Sequence, residues 1–192
     1  MPPTPEMSVI VLTPDGFAAI RRLMAHLRAQ TARARLELVF VAPDAGRLQA
    51  DETELAGFAA VRVVEADVMR STAEARAAGV RAAAAPIIAF TEDHCFPEPG
   101  WAEALIRAHG EPWAAVGPAV LNANPRSAVS WANLLTEYVE WLRPIASTAW
   151  RVLEDPLGLD LRVAAIPQNI AVLRKLSDDT RSWRMRRRMP VS

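Results

Sequence analysis

The spacing of apolar residues changes several times along the chain, and each change marks an element. Ser8-Val9-Ile10-Val11-Leu12-Thr13 is a run of β-formers ended by Pro14-Asp15-Gly16, which suits a strand buried on both faces. The period then becomes helical. Phe17, Ile20, Leu23, Met24 and Leu27 share one face while Arg21, Arg22 and Arg28 take the other, which predicts an amphipathic helix over 16–30 with Asp15 as its N-cap. Leu36-Glu37-Leu38-Val39-Phe40-Val41 is a second strand, stopped by Pro43-Asp44-Ala45-Gly46. A short helix begins at Asp51, with capping-box spacing to Glu54 and with Leu55 and Phe58 turned inward. It leads to a third strand, Val61-Arg62-Val63-Val64. Ser71 and Glu74 repeat the capping box and open an alanine-rich helix to Ala84. The fourth strand, Pro86-Ile87-Ile88-Ala89-Phe90, then runs straight into Thr91-Glu92-Asp93-His94-Cys95.

Alternation of strand and helix predicts an α/β fold: a mostly parallel central sheet with helices on both faces, joined by right-handed crossovers. Trp101 to His109 should be a helix packing through Trp101, Leu105 and Ile106, and 114–120 a fifth strand whose Pro118 points to a sheet edge or bulge. Ser127 to Leu142 reads as a longer helix with Val129, Leu134, Leu135, Tyr138 and Trp141 apolar. Trp131, Tyr138 and Trp141 are expected in the core rather than as a ligand-stacking platform. One more strand is expected over Leu161–Ile166 and a short helix over Asn169–Leu176. The domain thus spans 7–176, and 177–192 is a basic tail without apolar period. That tail reads as a nonnative end, of the kind truncation or a shifted reading frame produces.

Composition narrows the function classes. A 192-residue chain that is 51% hydrophobic with zero formal net charge gives no global attraction for nucleic acid, so an anionic ligand must be held by local groups. Arg181, Arg184, Arg186, Arg187 and Arg188 crowd the tail. Cys95 is the only cysteine, which leaves no internal disulfide and fits a reducing compartment. No window reaches the roughly 18 apolar residues of a membrane span, and the start lacks the regions of a signal peptide. The expected location is cytoplasmic, with peripheral association at the inner face of a membrane as an alternative.

The candidate chemistry lies after the fourth strand, because ligands of open α/β sheets sit outside the carboxyl ends of the strands. Glu92, Asp93 and His94 stand at such an end. Alone, they would be ordinary turn chemistry; the strand before them and Pro97, Pro99, Gly100 and Trp101 after them favour a site. Thr13 and Asp15 suit a strand end and helix cap as well as a ligand contact, Asp44 suits a turn, and Arg76 by default lies on a solvated face. His26 and His109 fall on helices with no partner assigned. A dinucleotide-binding doubly wound enzyme is the least favoured reading, since Thr13-Pro14-Asp15-Gly16-Phe17 lacks the Gly-x-Gly-x-x-Gly fingerprint.

Taken in order, these segments resemble the family 2 glycosyltransferases, whose nucleotide-binding half has the GT-A (nucleotide-diphospho-sugar transferase) fold. Ser8 to Asp15 is similar to the opening strand and turn, and Ala75-Arg76-Ala77-Ala78-Gly79 to the Ala-Arg-Asn-x-Gly element. Thr91 to Cys95 stands in place of Asp-x-Asp, ahead of the Pro-x-Pro-Gly-Trp formed by Pro97 to Trp101. Ala115 to Val120 resembles the next strand, and Pro167 to Arg174 the Gly-His-Asn-x-Ala-x-Arg-Arg segment. The resemblance implies a nucleotide-diphosphate sugar donor, a divalent Mn²⁺ or Mg²⁺ and transfer to an acceptor hydroxyl (glycan, lipid or small molecule) with inversion. It implies donor contacts by Thr13, Pro14, Asp15, Asp44, Arg76, Gly79, Glu92 and Asp93, and metal contacts by Asp93 and His94. No nucleic acid partner is implied. Departures are His94 for the usual last carboxylate, Ala77 for Asn, Ala42-Pro43 for paired aspartates and Leu173 for arginine. The general base has no assignable residue, so an inactive donor-binding or scaffold domain is the alternative.

Overall fold

The computed structural model describes residues 4–50, 52–67, 70–111, 115–117, 121–138 and 171–173. Strands β1 (Met7–Leu12), β2 (Leu36–Ala42), β3 (Ala60–Glu65), β4 (Ile87–Thr91), β5 (Ala115–Val116) and β6 (Ala171–Leu173) form one six-stranded sheet in the order β3-β2-β1-β4-β6-β5. The pairs among β1 to β4 are all parallel, in a register that sets Ser8 beside Glu37 and Ile88, and Val11 beside Phe40 and Thr91. β6 runs antiparallel to both β4 and β5, so it is the one reversed strand described. The expected mostly parallel sheet is found.

Helices α1 (Phe17–Arg28), α4 (Thr72–Ala82), α5 (Trp101–Ala108) and α6 (Ala128–Tyr138) accompany it, with single-turn helices α2 (Ala45–Leu48) and α3 (Glu52–Leu55) between β2 and β3. Alternate side chains of the central strands feed two cores. Val9, Val11, Leu38, Phe40 and Ala89 pack with Phe17, Ile20, Leu23, Met24 and Leu27 of α1 and with Ala102 and Leu105 of α5. Ile10, Val39, Val41 and Ile88 pack on the other face with Ala75 of α4. The face of α1 read from sequence is fully buried, and its outer arginines are exposed. Ser71 caps α4 as expected, accepting the Glu74 amide on Oγ at 3.2 Å.

Several expectations are overturned. Asn169–Leu176 was expected to hold a helix, yet Ala171–Leu173 is strand, because the slot between β4 and β5 supplies a ladder that local propensity does not foresee. Asp15 is exposed and does not cap α1; Gly16 holds that position with φ 82°, a conformation natural only to glycine. Trp131 is 40% exposed rather than in the core, as are Leu135 at 48% and Val129 at 70%. Its indole N–H donates to the Pro125 carbonyl at 2.9 Å, so the ring lies along the helix's own entry turn. Leu134 is the residue of this helix that is buried as expected. β3 lies at the sheet edge, with Val61 and Val63 partly in solvent. Asp51, Trp141, the strand expected over Leu161–Ile166 and the tail lie outside the described residues, as does the side chain of Tyr138. Among the described residues no helix is long and apolar enough to cross a membrane.

Candidate functional site

The strand order fixes where a ligand can enter. From β1 the chain passes through α1 on one face to β2, whereas it reaches β4 through α4 on the other face. The helices therefore diverge between the carboxyl ends of β1 and β4, which are neighbours in the sheet, and the gap between them is a topological switch point. Thr13-Pro14-Asp15 and Glu92-Asp93-His94 are the residues that leave those two strands.

On the β1 side, the Thr13 amide extends the ladder to the Val41 carbonyl at 2.9 Å, and its buried Oγ1 donates to the Gly16 carbonyl at 2.9 Å. The hydroxyl thus closes the Pro14-Asp15 turn. Asp15 projects from that turn into solvent. Beyond β2, Asp44 Oδ1 accepts the Gly46 amide at 2.8 Å, the turn role expected of it.

On the β4 side, the Cys95 amide donates to the Glu92 carbonyl at 3.0 Å, closing a β-turn over Glu92 to Cys95. The turn draws its ends together. Glu92 is mostly buried: its Oε1 lies 3.5 Å from Arg76 Nη2, and its Oε2 lies 3.1 Å from His94 Nε2. The other ring nitrogen, Nδ1, is 2.9 Å from Asp93 Oδ1. Ligand atoms of Glu92, His94 and Cys95 all lie within 4.8 Å of one another. A carboxylate oxygen, an imidazole nitrogen and a thiol sulfur in that volume fit a divalent cation. Cys95 was not singled out from the sequence. Its place at the fourth position of a turn that begins with Glu92 was the signal.

Arg76 reaches the site because α4 lies close on the sheet. Gly79, one turn further along α4, is buried, and a Cβ built on it would meet Ile10 Cγ2 at 2.8 Å and Val41 Cγ2 at 3.0 Å. Gly79 therefore faces the sheet, away from the switch point, and its contribution is the close approach of the helix. Thr13, Arg76, Glu92, Asp93 and His94 thus border the β1–β4 gap, while Asp44 belongs to the neighbouring β2 turn.

A cleft of about 1300 Å³ opens beyond β4, among α1, the 94–101 loop, α5 and the start of α6, with Arg22, His26, His94, Trp101, Asn122 and Asn133 among its walls. The loop is tied to α1. The Arg22 guanidinium sits 3.9 Å from the centre of the Phe96 ring, and His26 lies against the same ring. Gln30, which sequence reasoning passed over as the end of a helix, is 4% exposed; its amide donates to the Glu98 and His26 carbonyls and accepts the Ala102 amide. Replacing Gln30 by Ala leaves those buried groups unpaired and is expected to cost about 2 kcal/mol in denaturant unfolding. An unchanged midpoint would show that the loop does not depend on this clamp.

Comparison with known proteins follows the same outline. A search of curated proteins finds no significant match. Among solved structures, the chain is similar to the mannosyltransferase PcManGT from Pyrobaculum calidifontis in complex with GDP-Man and Mn²⁺, with 21% identity and TM-score 0.57 over 92% of this chain and 47% of that one. It is also similar to S. aureus TarS 1-349, with 18% identity and TM-score 0.59 over 92% and 49%. TarS 1-349 in complex with UDP aligns at 15% identity and TM-score 0.60 over the same shares. The chain spans about half the length of each, and at these identities the likeness establishes the GT-A fold alone. The model of Glycosyl transferase family 2 matches residues 8–190, nearly the whole sequence. The chain belongs to glycosyl transferase family 2.

Proposed function

We propose that residues 7–176 bind a nucleotide-diphosphate sugar at the β1–β4 gap and that the protein transfers the sugar to an acceptor hydroxyl with inversion. The observation that carries this reading is the convergence of Arg76, Glu92 and His94 at the switch point, where a cation and a guanidinium can face one anionic ligand. Membership of the family and complexes of similar folds with GDP-Man and UDP agree with it. The hydroxyl oxygen bonds to the anomeric carbon as the bond to the diphosphate oxygen breaks, and the nucleoside diphosphate leaves with the electron pair. The hydroxyl proton goes to a general base to which no described residue is assigned.

The chain's own groups have distinct parts. Arg76 gives charge-assisted hydrogen bonds to diphosphate oxygens, exchanging its contact with Glu92 for the ligand. The Thr13-Pro14-Asp15 turn borders the nucleoside, Asp44 lies one strand further out, and Gly79 keeps α4 in place. Glu92, His94 and Cys95 would hold a divalent ion at this turn, and its positive charge would offset the negative charge that develops on the leaving group.

The test is a thermal-shift panel of uridine, guanosine and thymidine diphosphates and their sugars, with and without divalent ions. Ligand at about 100 times its Kd should stabilise the fold by about 2.7 kcal/mol, and Arg76→Ala should remove most of that gain. No response to any nucleotide would exclude a donor site. Product formed with a supplied acceptor separates a transferase from a domain that only binds.

A further inference from the structure

We propose that the ion held at the Glu92–Cys95 turn is a borderline one of the Zn²⁺ type, bound through Glu92, His94 and the Cys95 thiolate, with Asp93 outside the ligand shell. The proposal rests on the reading of this turn as the metal edge of a donor site, but it changes the chemistry expected there. A carboxylate pair would select Mg²⁺ or Mn²⁺; a set that includes thiolate sulfur selects softer ions, since hard cations gain little from sulfur.

The geometry favours this set over the Asp93–His94 pair expected from sequence. Zn²⁺ takes oxygen and nitrogen at about 2.0–2.2 Å and sulfur at about 2.3 Å, so ligand atoms around one tetrahedral ion stand roughly 3.3–3.8 Å apart. The Glu92, His94 and Cys95 atoms lie within 4.8 Å of one another before any ion draws them in. Asp93 Oδ1, by contrast, lies 2.9 Å from His94 Nδ1, the carboxylate–imidazole arrangement that holds the outer nitrogen of a metal-bound histidine. In the tautomer that donates Nδ1–H to Asp93, the Nε2 lone pair faces Glu92 Oε2 at 3.1 Å. A proton on Nε2 joins these two atoms by a hydrogen bond, and a cation that takes the proton's place has both as ligands. The turn hydrogen bond from Cys95 to Glu92 brings the thiol to the same side, and the fourth position is left for a ligand oxygen.

Because Cys95 is the only cysteine, sulfur bound to a probe ion reports on this turn alone. The full chain is titrated with Co²⁺, and Zn²⁺ affinity is measured by competition with a chromophoric chelator. Wild-type protein should give a thiolate-to-Co²⁺ charge-transfer band at one ion per chain, and Zn²⁺ should displace it. Cys95→Ser should abolish the band and weaken Zn²⁺ by more than tenfold while the thermal midpoint without metal is unchanged. Asp93→Ala should keep the band and weaken Zn²⁺ by about 10–100-fold, as expected of a residue that orients a ligand. A Co²⁺ complex without the band, or equal Zn²⁺ affinity in Cys95→Ser, overturns the proposal. If nucleotide binding then persists with Mn²⁺, the donor site stands without the thiolate. If the band appears and no nucleotide binds, the metal site stands and the donor reading falls.

Discussion

Gly79→Val is expected to lower the stability of the chain by about 3 kcal/mol and to weaken nucleotide binding with it. The first added carbon would already stand 2.8 Å from Ile10 Cγ2, 3.0 Å from Val41 Cγ2 and 3.3 Å from Ile10 Cδ1. Ile10 and Val41 are buried in adjacent central strands, and their branched side chains have few alternative rotamers. The strain is therefore relieved by lifting α4, which carries Arg76 away from Glu92. Gly79→Ala meets the same atoms but gains about 1 kcal/mol of helix propensity, so it should fall between wild type and valine. Gly100 is the control: nothing lies within 4 Å of a Cβ there, and Gly100→Ala should stay within about 0.5 kcal/mol of wild type. Denaturant unfolding of the three variants measures this, and a Gly79→Val protein as stable as Gly100→Ala would show that α4 does not depend on the close contact.

The fold was legible where local pattern and tertiary setting agree. β1, β2 and β4 are mostly apolar runs, each with one polar residue, and α1 has one apolar face, so each states its burial in its own residues. β6 states nothing of the kind: Ala171–Leu173 becomes a strand because β4 and β5 leave an edge for it, and a three-residue segment has no period of its own. The site divides in the same way. Glu92, Asp93 and His94 were found because they follow a buried strand, but their division of labour depends on the turn that folds Cys95 back to Glu92. Arg76 carries no local signal beyond its place in a motif; its reach to Glu92 comes from Gly79 pressed against Ile10. Gln30 and Glu37 were passed over because a polar residue at the end of a helix or within a strand is ordinary until its burial is known.

Glu37→Ala should cost about 3 kcal/mol, and the cost should depend on pH. Glu37 lies near the start of β2, at the amino end of the sheet and so opposite the switch point, with its side chain fully buried. Its Oε2 accepts from the Ser8 hydroxyl and from the Ala84 amide, and its Oε1 accepts from Arg62 Nε. Ser8 Oγ in turn accepts the Ala85 amide at 3.0 Å. The carboxylate thus joins β1, β2, β3 and the segment entering β4. Burial by itself pushes the Glu37 carboxyl up, but the Ser8 hydroxyl, the Ala84 amide and the Arg62 guanidinium together outweigh it and hold the group below the ordinary carboxylate range. A group depressed on folding contributes stability that is complete above its unfolded value and is lost as pH falls through its lower folded value. The gap between wild type and Glu37→Gln, which keeps the shape but not the charge, should therefore be widest near neutrality and shrink as pH falls through the depressed value of the folded carboxyl. Arg62→Ala should cost less, about 1 kcal/mol, because its side chain is 49% exposed and water can take its place. Denaturant midpoints of wild type and Glu37→Gln, measured from about pH 7 down to about pH 3, decide the matter. A constant gap across that range would mean that shape rather than charge holds these four segments together, and Ser8→Ala, which keeps the carboxylate but removes one donor, would then cost as much as Glu37→Gln at every pH.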